Sequence, residues 1–487
     1  MKKLFLAAIL LVFSVIFAEE TVFVQLKDET RRFLKSDFED CRISYFYKIK
    51  RSSFYAVHTE NRDNSLNCLE KSVLVKKAVP DRKMNIEYKS NDPFFANQWH
   101  LLNTGQRGIE GNDAKVAAAW EYLESLGIAP GKGVKIGIID DAFDLHHPDM
   151  KGKYLKGLDL IDGDDYPYAD ENEPHGTCVT GVIAAVKDNE LGVAGACPEC
   201  RIVPVRSGDM LGEGENMANA FNFVLDQGVQ IISNSWGPTD NGGGEDMPEV
   251  IKEIVKYARE KERGGLGVVI FFAAGNGNED ISAEATFDGY AANEDVIAVG
   301  ALNAYGQRSN YSDFGRDLDI MAPSSDIDGD YVWNPFAFDM IKDGIWTIDA
   351  RSWYGYSQSD YTGTFGGTSS ASPLAAAVAG LLISAYPELS RDELYEIITT
   401  TADKVSPVDA DYDENGFSEK YGYGRINALA ALQLLCERHE CKGGLPEIEE
   451  ETYEPEDLEM GSDIDEFPDD SMLPVKTSGK GCSVTVF

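Results

Sequence analysis

Period-two alternation marks the front of the chain. Residues 21–26, 44–47 and 72–75 alternate apolar with polar or charged side chains, the signature of strands that bury one face. Further along the pattern changes. Residues 134–139 are largely apolar and rich in Ile and Val, which predicts a strand buried on both faces of a parallel sheet, with Asp140 emerging at its carboxyl edge. Residues 176–186 and 371–386 are dense in small and apolar side chains and predict buried helices, opened by His175 and Ser369. Residues 272–278 predict a strand running into a Gly-rich turn around Asn276. The connection 314–366 is long and carries Trp333, Phe336, Phe338, Trp346 and Trp353, a density that predicts a satellite apolar core.

The two ends read differently. Lys2 and Lys3 precede an apolar run, 4–17, closed by Ala18; this is a leader-peptide pattern, with cleavage expected after Ala18, and the run is short for a membrane span. Residues 447–470 are acidic and contain proline, and read as disordered. The expected organisation is therefore a leader (1–18), a small α/β unit (19–83), a principal α/β domain (84–435) and an acidic tail (436–487).

Composition narrows the class. With 487 residues, 43% hydrophobic and 10% aromatic, the chain can bury a full core and build more than one domain. A net charge of −39 excludes nucleic acid as a partner. It suits an exported protein, extracellular or in the cell envelope, that binds cations or basic peptides. A monomer with no integral membrane span is expected.

Three separated segments carry the candidate chemistry: Ile139-Asp140-Asp141, His175-Gly176-Thr177 and Gly367-Thr368-Ser369-Ser370-Ala371. A serine hydroxyl needs a base to take its proton, and the base needs a carboxylate to fix its tautomer. Asp140, His175 and Ser369 are given those roles. His175 and Ser369 both open helices, where unpaired N–H groups favour a developing anion. Asn276 supplies a neutral amide donor to complete the oxyanion site.

With these residues in view, the stretch from about Asp92 to Ala431 resembles the catalytic domain of subtilisin-like serine proteases, closest to the kexin and furin branch. Asp92-Pro93 with Gln98-Trp99, Ser233-Asn234-Ser235-Trp236-Gly237-Pro238, Arg263-Gly264-Gly265-Leu266-Gly267, Asp288-Gly289-Tyr290 and Tyr421-Gly422-Tyr423-Gly424-Arg425-Ile426-Asn427-Ala428 carry the likeness. The resemblance implies a three-layer α/β fold with a mainly parallel central sheet flanked by helices, preceded by a small α/β pro-domain that acts as an intramolecular inhibitor.

The resemblance also implies substrate contacts. Ser235, Trp236 and Gly237 match the substrate-binding strand. Asp240 and Asp288 match acids that receive a basic side chain before the scissile bond, and Asp141 matches an acid facing the residue before that. An acid-lined pocket selects Arg or Lys, so protein or peptide substrates with basic, especially dibasic, sites are expected. Arg82-Lys83 lies where such an enzyme would release its own pro-segment, and 48–51 offers a second basic cluster.

Calcium is the implied cofactor. By resemblance, Asp92, Asp149 and Asn189 bind one ion through side chains, with backbone carbonyls of Val186, Leu191 and Val193. Asp313 matches an acid of a second site that shares Asp240. Residues 409–416 alternate carboxylates and are open to reading as an ion loop or a plain acidic loop; 326–330 carries a weaker version.

Cys197 with Cys200, Cys436 with Cys441, and Cys41 with Cys68 are candidate disulfides, with zinc a minor alternative; Cys178 reads as a packed thiol and Cys482 as unpaired. The chain departs from the kexin pattern at Ala142, where those enzymes have Gly, and at Cys178, one position early. About fifty residues follow Leu435, too few for the kexin β-sandwich. Two alternatives keep the fold: a broad degradative protease in which Asp240 and Asp288 bind metal, and a catalytically dead scaffold, against which the four intact catalytic positions argue.

Overall fold

The computed structural model describes residues 20–27, 34–48, 54–59, 62–80, 90–168, 173–208, 214–240, 242–327, 341–351, 355–449, 452–453 and 485–486. The leader, Arg82-Lys83, most of the basic cluster at 48–51, Trp333, Phe336, Phe338, Trp353, Cys482 and most of the acidic tail lie outside them. The chain divides into two compact units, Met1–Glu87 and Tyr88–Phe487.

The first unit contains β1 (Glu20–Leu26), β2 (Ile43–Lys48), β3 (Phe54–Thr59), α1 (Arg62–Lys71) and β4 (Val75–Pro80). They form an antiparallel sheet in the order β2-β3-β1-β4. Alternate positions Val22, Val24 and Leu26 are buried against Val57, Leu69 and Val75, as the period-two pattern requires. A Cys41–Cys68 disulfide ties α1 to the turn before β2. The expected strand at 72–75 begins only at Val75. Residues 72–74 are the turn leaving α1, and Val73 is 80% exposed.

The second unit opens with α2 (Val116–Ser125), β5 (Lys135–Asp140), β6 (Leu158–Asp159), α3 (His175–Ala184) and β7 (Arg201–Arg206). It continues through α4 (Gly214–Asp226), β8 (Ile231–Asn234), β9 (Trp236–Gly237), α5 (Glu249–Gly265), β10 (Val269–Ala273), β11 (Ile297–Leu302) and β12 (Ile320–Pro323). Then come β13 (Asp326–Ile327), β14 (Ile341–Lys342), β15 (Ile345–Ile348), β16 (Tyr361–Phe365), α6 (Thr368–Ala385), α7 (Arg391–Thr401), α8 (Pro407–Ala410), α9 (Ala428–Arg438) and β17 (Thr485–Val486).

Seven strands form a parallel sheet in the order β12-β11-β10-β8-β5-β7-β6. Both faces are covered, so neighbouring residues of one strand enter different cores. Ile136, Ile231, Val269 and Phe271 join α2, α3, α6, α7 and α9 on one side. Ile139, Ile232, Ile270 and Phe272 join α4 and α5 on the other. This is the expected three-layer α/β fold.

The chain passes from β5 to β7 on one side, then returns to lay β8 on the other side of β5. Strand order therefore reverses at the carboxyl ends of β5 and β8, and that crevice is where open α/β sheets bind ligands. Helix α6 runs beneath it with every residue buried. It is long and apolar enough to cross a membrane, but a helix apolar all round is equally the core helix of a large domain, and α6 is buried against four strands and α3.

Part of the predicted satellite core is present: Trp346 on β15 packs 4.8 Å from the ring of Phe94, and Tyr361 on β16 packs at 5.4 Å. The folded chain also extends past Leu435. Leu445, Ile448 and Tyr453 pack on the two cores, and Tyr453 donates to the Asp165 carbonyl. Acidic composition predicted disorder from 447; the intervening apolar residues anchor the start of that segment instead.

Candidate active site

Two adjacent acids end β5 and do different work. Asp140 is fully buried, and its Oδ1 lies 2.8 Å from His175 Nδ1. Asp141 accepts the backbone N–H groups of His175 (2.9 Å) and Gly176 (2.6 Å), so it anchors the start of α3. Gly176 is required by this approach: a Cβ there would sit 2.5 Å from the Ala142 carbonyl oxygen. The imidazole is further held by the edge of Phe365, with ring centres 5.5 Å apart. Asp141 was expected to face substrate; in the structure both of its oxygens accept N–H groups at the start of the helix that carries the base.

The Asp141 carboxyl is pushed up to about 7, first by burial and then by the charge of Asp140, with His175 opposing. Its attraction for the imidazolium implies a measurable consequence. Asp141→Asn removes the fraction of negative charge that the raised carboxyl still carries as the base titrates, so His175 should lose its proton somewhat more easily. The acidic limb of the kcat/KM profile, which reports the free enzyme's base, is expected to move to lower pH by up to about one unit. An unmoved limb would show that Asp141 acts only as a helix anchor.

Ser369 is the second residue of α6. Four residues on, Pro373 has no N–H to give its carbonyl. The Ser235 hydroxyl takes that place, donating to the Ser369 carbonyl at 3.1 Å, while Ser369 Oγ donates to the Ser235 carbonyl at 3.4 Å. The helix start and the chain leaving β8 are thereby locked together. Trp236, fully buried, donates its indole N–H to the Ile139 carbonyl at 2.9 Å, which ties the same segment to the end of β5.

Asn276 stands in the turn after β10. Its Oδ1 accepts the Thr368 backbone N–H at 2.9 Å, which turns the amide group: Nδ2 is buried and has no partner among the described residues. An unmet buried donor costs about 1–3 kcal/mol, and here it lies next to the nucleophile's helix start. A donor held ready for charge that appears only during reaction is how oxyanion stabilisation works. Gly275 has φ +108°, and a Cβ would lie 2.2 Å from Asp313 Oδ2, so this turn closes tightly over Asp313.

Beneath the turn lies a cluster of acids. Asp240 accepts the Asn276 N–H at 3.2 Å, and Asp313 accepts the Glu279 N–H at 2.8 Å. Asp240, Glu279 and Asp313 bring ligand oxygens within 4.8 Å of one another. Burial pushes the Asp240 carboxyl up to about 7, with Glu279 adding repulsion, and raises Asp313 well above its usual range. Hard oxygens crowded in this way fit a divalent cation. Glu279 was missed in the sequence, although it lies in the Asn276 turn. Asp288 also reaches about 7 through burial, and its Oδ1 accepts the Tyr290 and Ala291 N–H groups at 2.8 and 3.0 Å, so it caps its own turn.

The side-chain residues of the other expected ion site, Asp92, Asp149 and Asn189, lie together. Asp92 accepts from Asp188 N (2.9 Å) and Asn189 N (3.1 Å). Asp149 accepts from Asn189 Nδ2 (2.7 Å) and Val193 N (3.0 Å), and its carbonyl accepts from Val186 N (2.8 Å). Leu191 lies in the same loop, its N–H on Asn189 Oδ1 at 2.8 Å. Burial raises both carboxyls, Asp149 to about 6 with Asp92 adding repulsion. Two buried, mutually repelling carboxylates joined by the Asn189 side-chain amide are a donor set that suits a hard cation.

Residues 409–416 behave as a plain acidic loop: Asp409 pairs with Lys420 and Tyr421, and Asp413 caps the Asn415 and Phe417 N–H groups. Cys197–Cys200 and Cys436–Cys441 are disulfides, so those pairs hold no zinc. Cys178 is a buried thiol whose pKa burial raises, with Asp349 adding repulsion; it is not poised as a nucleophile.

The likeness to known proteins agrees with this arrangement. A profile described as the subtilase family matches residues 131–424. A calcium-dependent protease of Nostoc sp. is 38% identical over 363 residues, covering 70% of this chain and 51% of that protein. Neuroendocrine convertase 2 of Bos taurus is 30% identical over 407 residues, covering 77% of this chain and 60% of that protein. The chain thus spans about half the length of the curated relatives it matches first. In fold, it resembles the serine protease of Aeromonas sobria, with TM-score 0.62 at 24% identity over 74% of this chain and 70% of that one.

Proposed function

The chain belongs to the subtilase family of serine proteases, and from that premise we propose a secreted, calcium-dependent endopeptidase that cuts after basic residues and releases its own pro-segment. Asp140 orients His175, His175 takes the proton of Ser369, and Ser369 attacks the scissile carbonyl. Asn276 Nδ2 and the backbone N–H groups at the start of α6 receive the oxyanion. The buried Asn276 Nδ2, without a partner among the described residues, is the observation that carries this reading.

Ser235, Trp236 and Gly237 present a backbone edge to the substrate. Asp240 and Asp288 give the pocket its negative charge, and Asp141 adds to the field beside the residue before it. Asp92, Asp149 and Asn189, with the carbonyls of Val186, Leu191 and Val193, would hold calcium, whose positive charge would fix the 186–193 loop. A second ion would sit among Asp240, Glu279 and Asp313. The 19–83 unit is the inhibitor, cut at Arg82-Lys83.

One observation favours a broader protease: Asp240 belongs to the cation cluster, and a bound ion would take its charge from the pocket. One experiment separates the two readings. The chain without its leader, beside Ser369→Ala, is produced with calcium and both N-termini are read by mass spectrometry. A new N-terminus at Met84 in the parent only is expected, and its loss in EGTA. Cuts after apolar residues would leave the broad protease; no cut in either chain would overturn self-processing.

A further inference from the structure

Strand β16 touches the cation loop at one end and the catalytic base at the other. Tyr361 opens the strand, and its hydroxyl lies within hydrogen-bonding reach of the Asp149 carboxyl. Its ring lies on the 186–193 loop: a Cβ on Gly192 would sit 1.7 Å from the ring carbon Cε1. The rings of Phe94 and His147 pack on it at 5.4 and 5.3 Å, and Phe94 donates its N–H to the Gly192 carbonyl at 2.8 Å. Tyr361 was not among the residues expected there.

Phe365 closes the strand. Its ring packs against the His175 imidazole at 5.5 Å, and Tyr356 stacks on it at 6.3 Å. Between the ends, β15 braces the strand, with Ile348 opposite Tyr361, Thr347 opposite Thr362 and Ile345 opposite Phe365. β15 is in turn pinned to the helix of the base: Thr347 Oγ1 donates to the Cys178 carbonyl at 2.8 Å. Gly181 admits this approach, since a Cβ there would lie 2.4 Å from Thr347 Oγ1. Four residue steps put Tyr361 and Phe365 about 13 Å apart, and a paired strand that short carries a displacement at one end to the other.

We propose that Tyr361 belongs to the cation site, where it orients the Asp149 carboxylate, and that β16 carries the state of that site to His175 through Phe365. Tyr361 is then a positioning residue for the base. This rests on Asp92, Asp149 and Asn189 being a cation site and on His175 and Ser369 being base and nucleophile.

A carboxylate offers a cation the lone pairs that its other hydrogen bonds leave free. Asp149 accepts Asn189 Nδ2 and the Val193 N–H from within the loop, and the phenol adds a donor from the hairpin. Loss of such an orienting partner costs about 10–100-fold in metal affinity. Without a cation, repulsion between Asp92 and Asp149 works against the packed loop, and the start of β16 loosens with it.

The test uses calcium alone as the probe. It is titrated calorimetrically into the chain without its leader on the Ser369→Ala background, which cannot cut itself. Two further variants are compared: Tyr361→Phe, which keeps the ring and loses the hydroxyl, and Asp149→Asn, which marks the binding step of this site. That step is expected to weaken about 10–100-fold in Tyr361→Phe. With Ser369 restored, its labelling by a fluorophosphonate is followed against calcium. At the parent's half-saturation, occupancy in Tyr361→Phe falls from one half to about 1–9%, so labelling should drop toward the calcium-free rate, and saturating calcium should restore the parent's rate. Phe365→Leu should behave in the opposite way, binding calcium as the parent does but labelling at a rate that no longer depends on it.

An unchanged calcium step in Tyr361→Phe removes Tyr361 from the site. Calcium-dependent labelling that survives in Phe365→Leu removes β16 as the route. If Asp149→Asn abolishes no step, the cation-site reading fails and the proposal with it. A parent that binds calcium at this step yet never labels overturns the assignment of Ser369 and the link to His175, while the calorimetry still decides the place of Tyr361.

Discussion

Ser369→Ala is expected to lower kcat by about 10⁶ while KM stays within about threefold. The size is carried over from a subtilisin-type enzyme, in which removal of the nucleophile costs about as much as removal of the whole triad. The direction follows from this structure. Ser369 Oγ makes a long bond to the Ser235 carbonyl, and nothing else in the first turn of α6 substitutes for it: Ser370 is turned to the Gly367 carbonyl and the Ser324 hydroxyl, and Ser372 to the Asn234 carbonyl and Ser233. Cys178, the other conceivable nucleophile, is a buried thiol held neutral by burial. The fold should survive, because Ser235 Oγ still donates to the carbonyl of residue 369. Steady-state kinetics with unchanged thermal unfolding would check both points. A loss below about a hundredfold would mean that another group does the chemistry.

A His175→Ala change on the Ser369→Ala background is then expected to add almost nothing. Base and nucleophile act as one unit, so their losses do not sum. Additive losses would indicate that His175 works elsewhere.

Much of this site was legible because parallel-sheet topology concentrates chemistry at strand ends. The apolar run before Asp140 predicted β5 with Asp140 at its carboxyl edge, and small-residue runs predicted α3 and α6 behind His175 and Ser369. Neither run needed tertiary information, because both are buried on all sides. What sequence could not reach was the use of each side chain. Asp140 and Asp141 are neighbours with the same chemistry, yet one holds an imidazole and the other a helix start, a division set by how α3 meets the end of β5. Glu279 was overlooked because its partners Asp240 and Asp313 arrive from distant segments. Val73 counted as a strand residue because local alternation does not register a helix ending two residues before it. Composition likewise hid Leu445, Ile448 and Tyr453 among acids, and so placed disorder where the chain is still anchored. Strand β17 was invisible in the sequence, since a short apolar ending has no signature until an open edge is there to receive it.

Asn276→Ala is expected to lower kcat by about 10²–10³ with KM nearly unchanged, a magnitude carried over from removal of a side-chain oxyanion donor in a subtilisin-type enzyme. The split between kcat and KM is the informative part. Asn276 Nδ2 has no partner among the described residues, so the group contributes only once negative charge develops, and an interaction made only in the transition state alters kcat and kcat/KM equally. Alanine also removes the acceptor for the Thr368 N–H, which could disturb the start of α6. Asn276→Asp separates the two effects. It keeps an oxygen for Thr368 but replaces the donor with a second acceptor, negative when ionised, so the loss should equal or exceed that of alanine although the helix start is preserved. Were aspartate close to wild type while alanine was impaired, Asn276 would be a brace for Thr368, and the oxyanion would have to be held by backbone N–H groups alone.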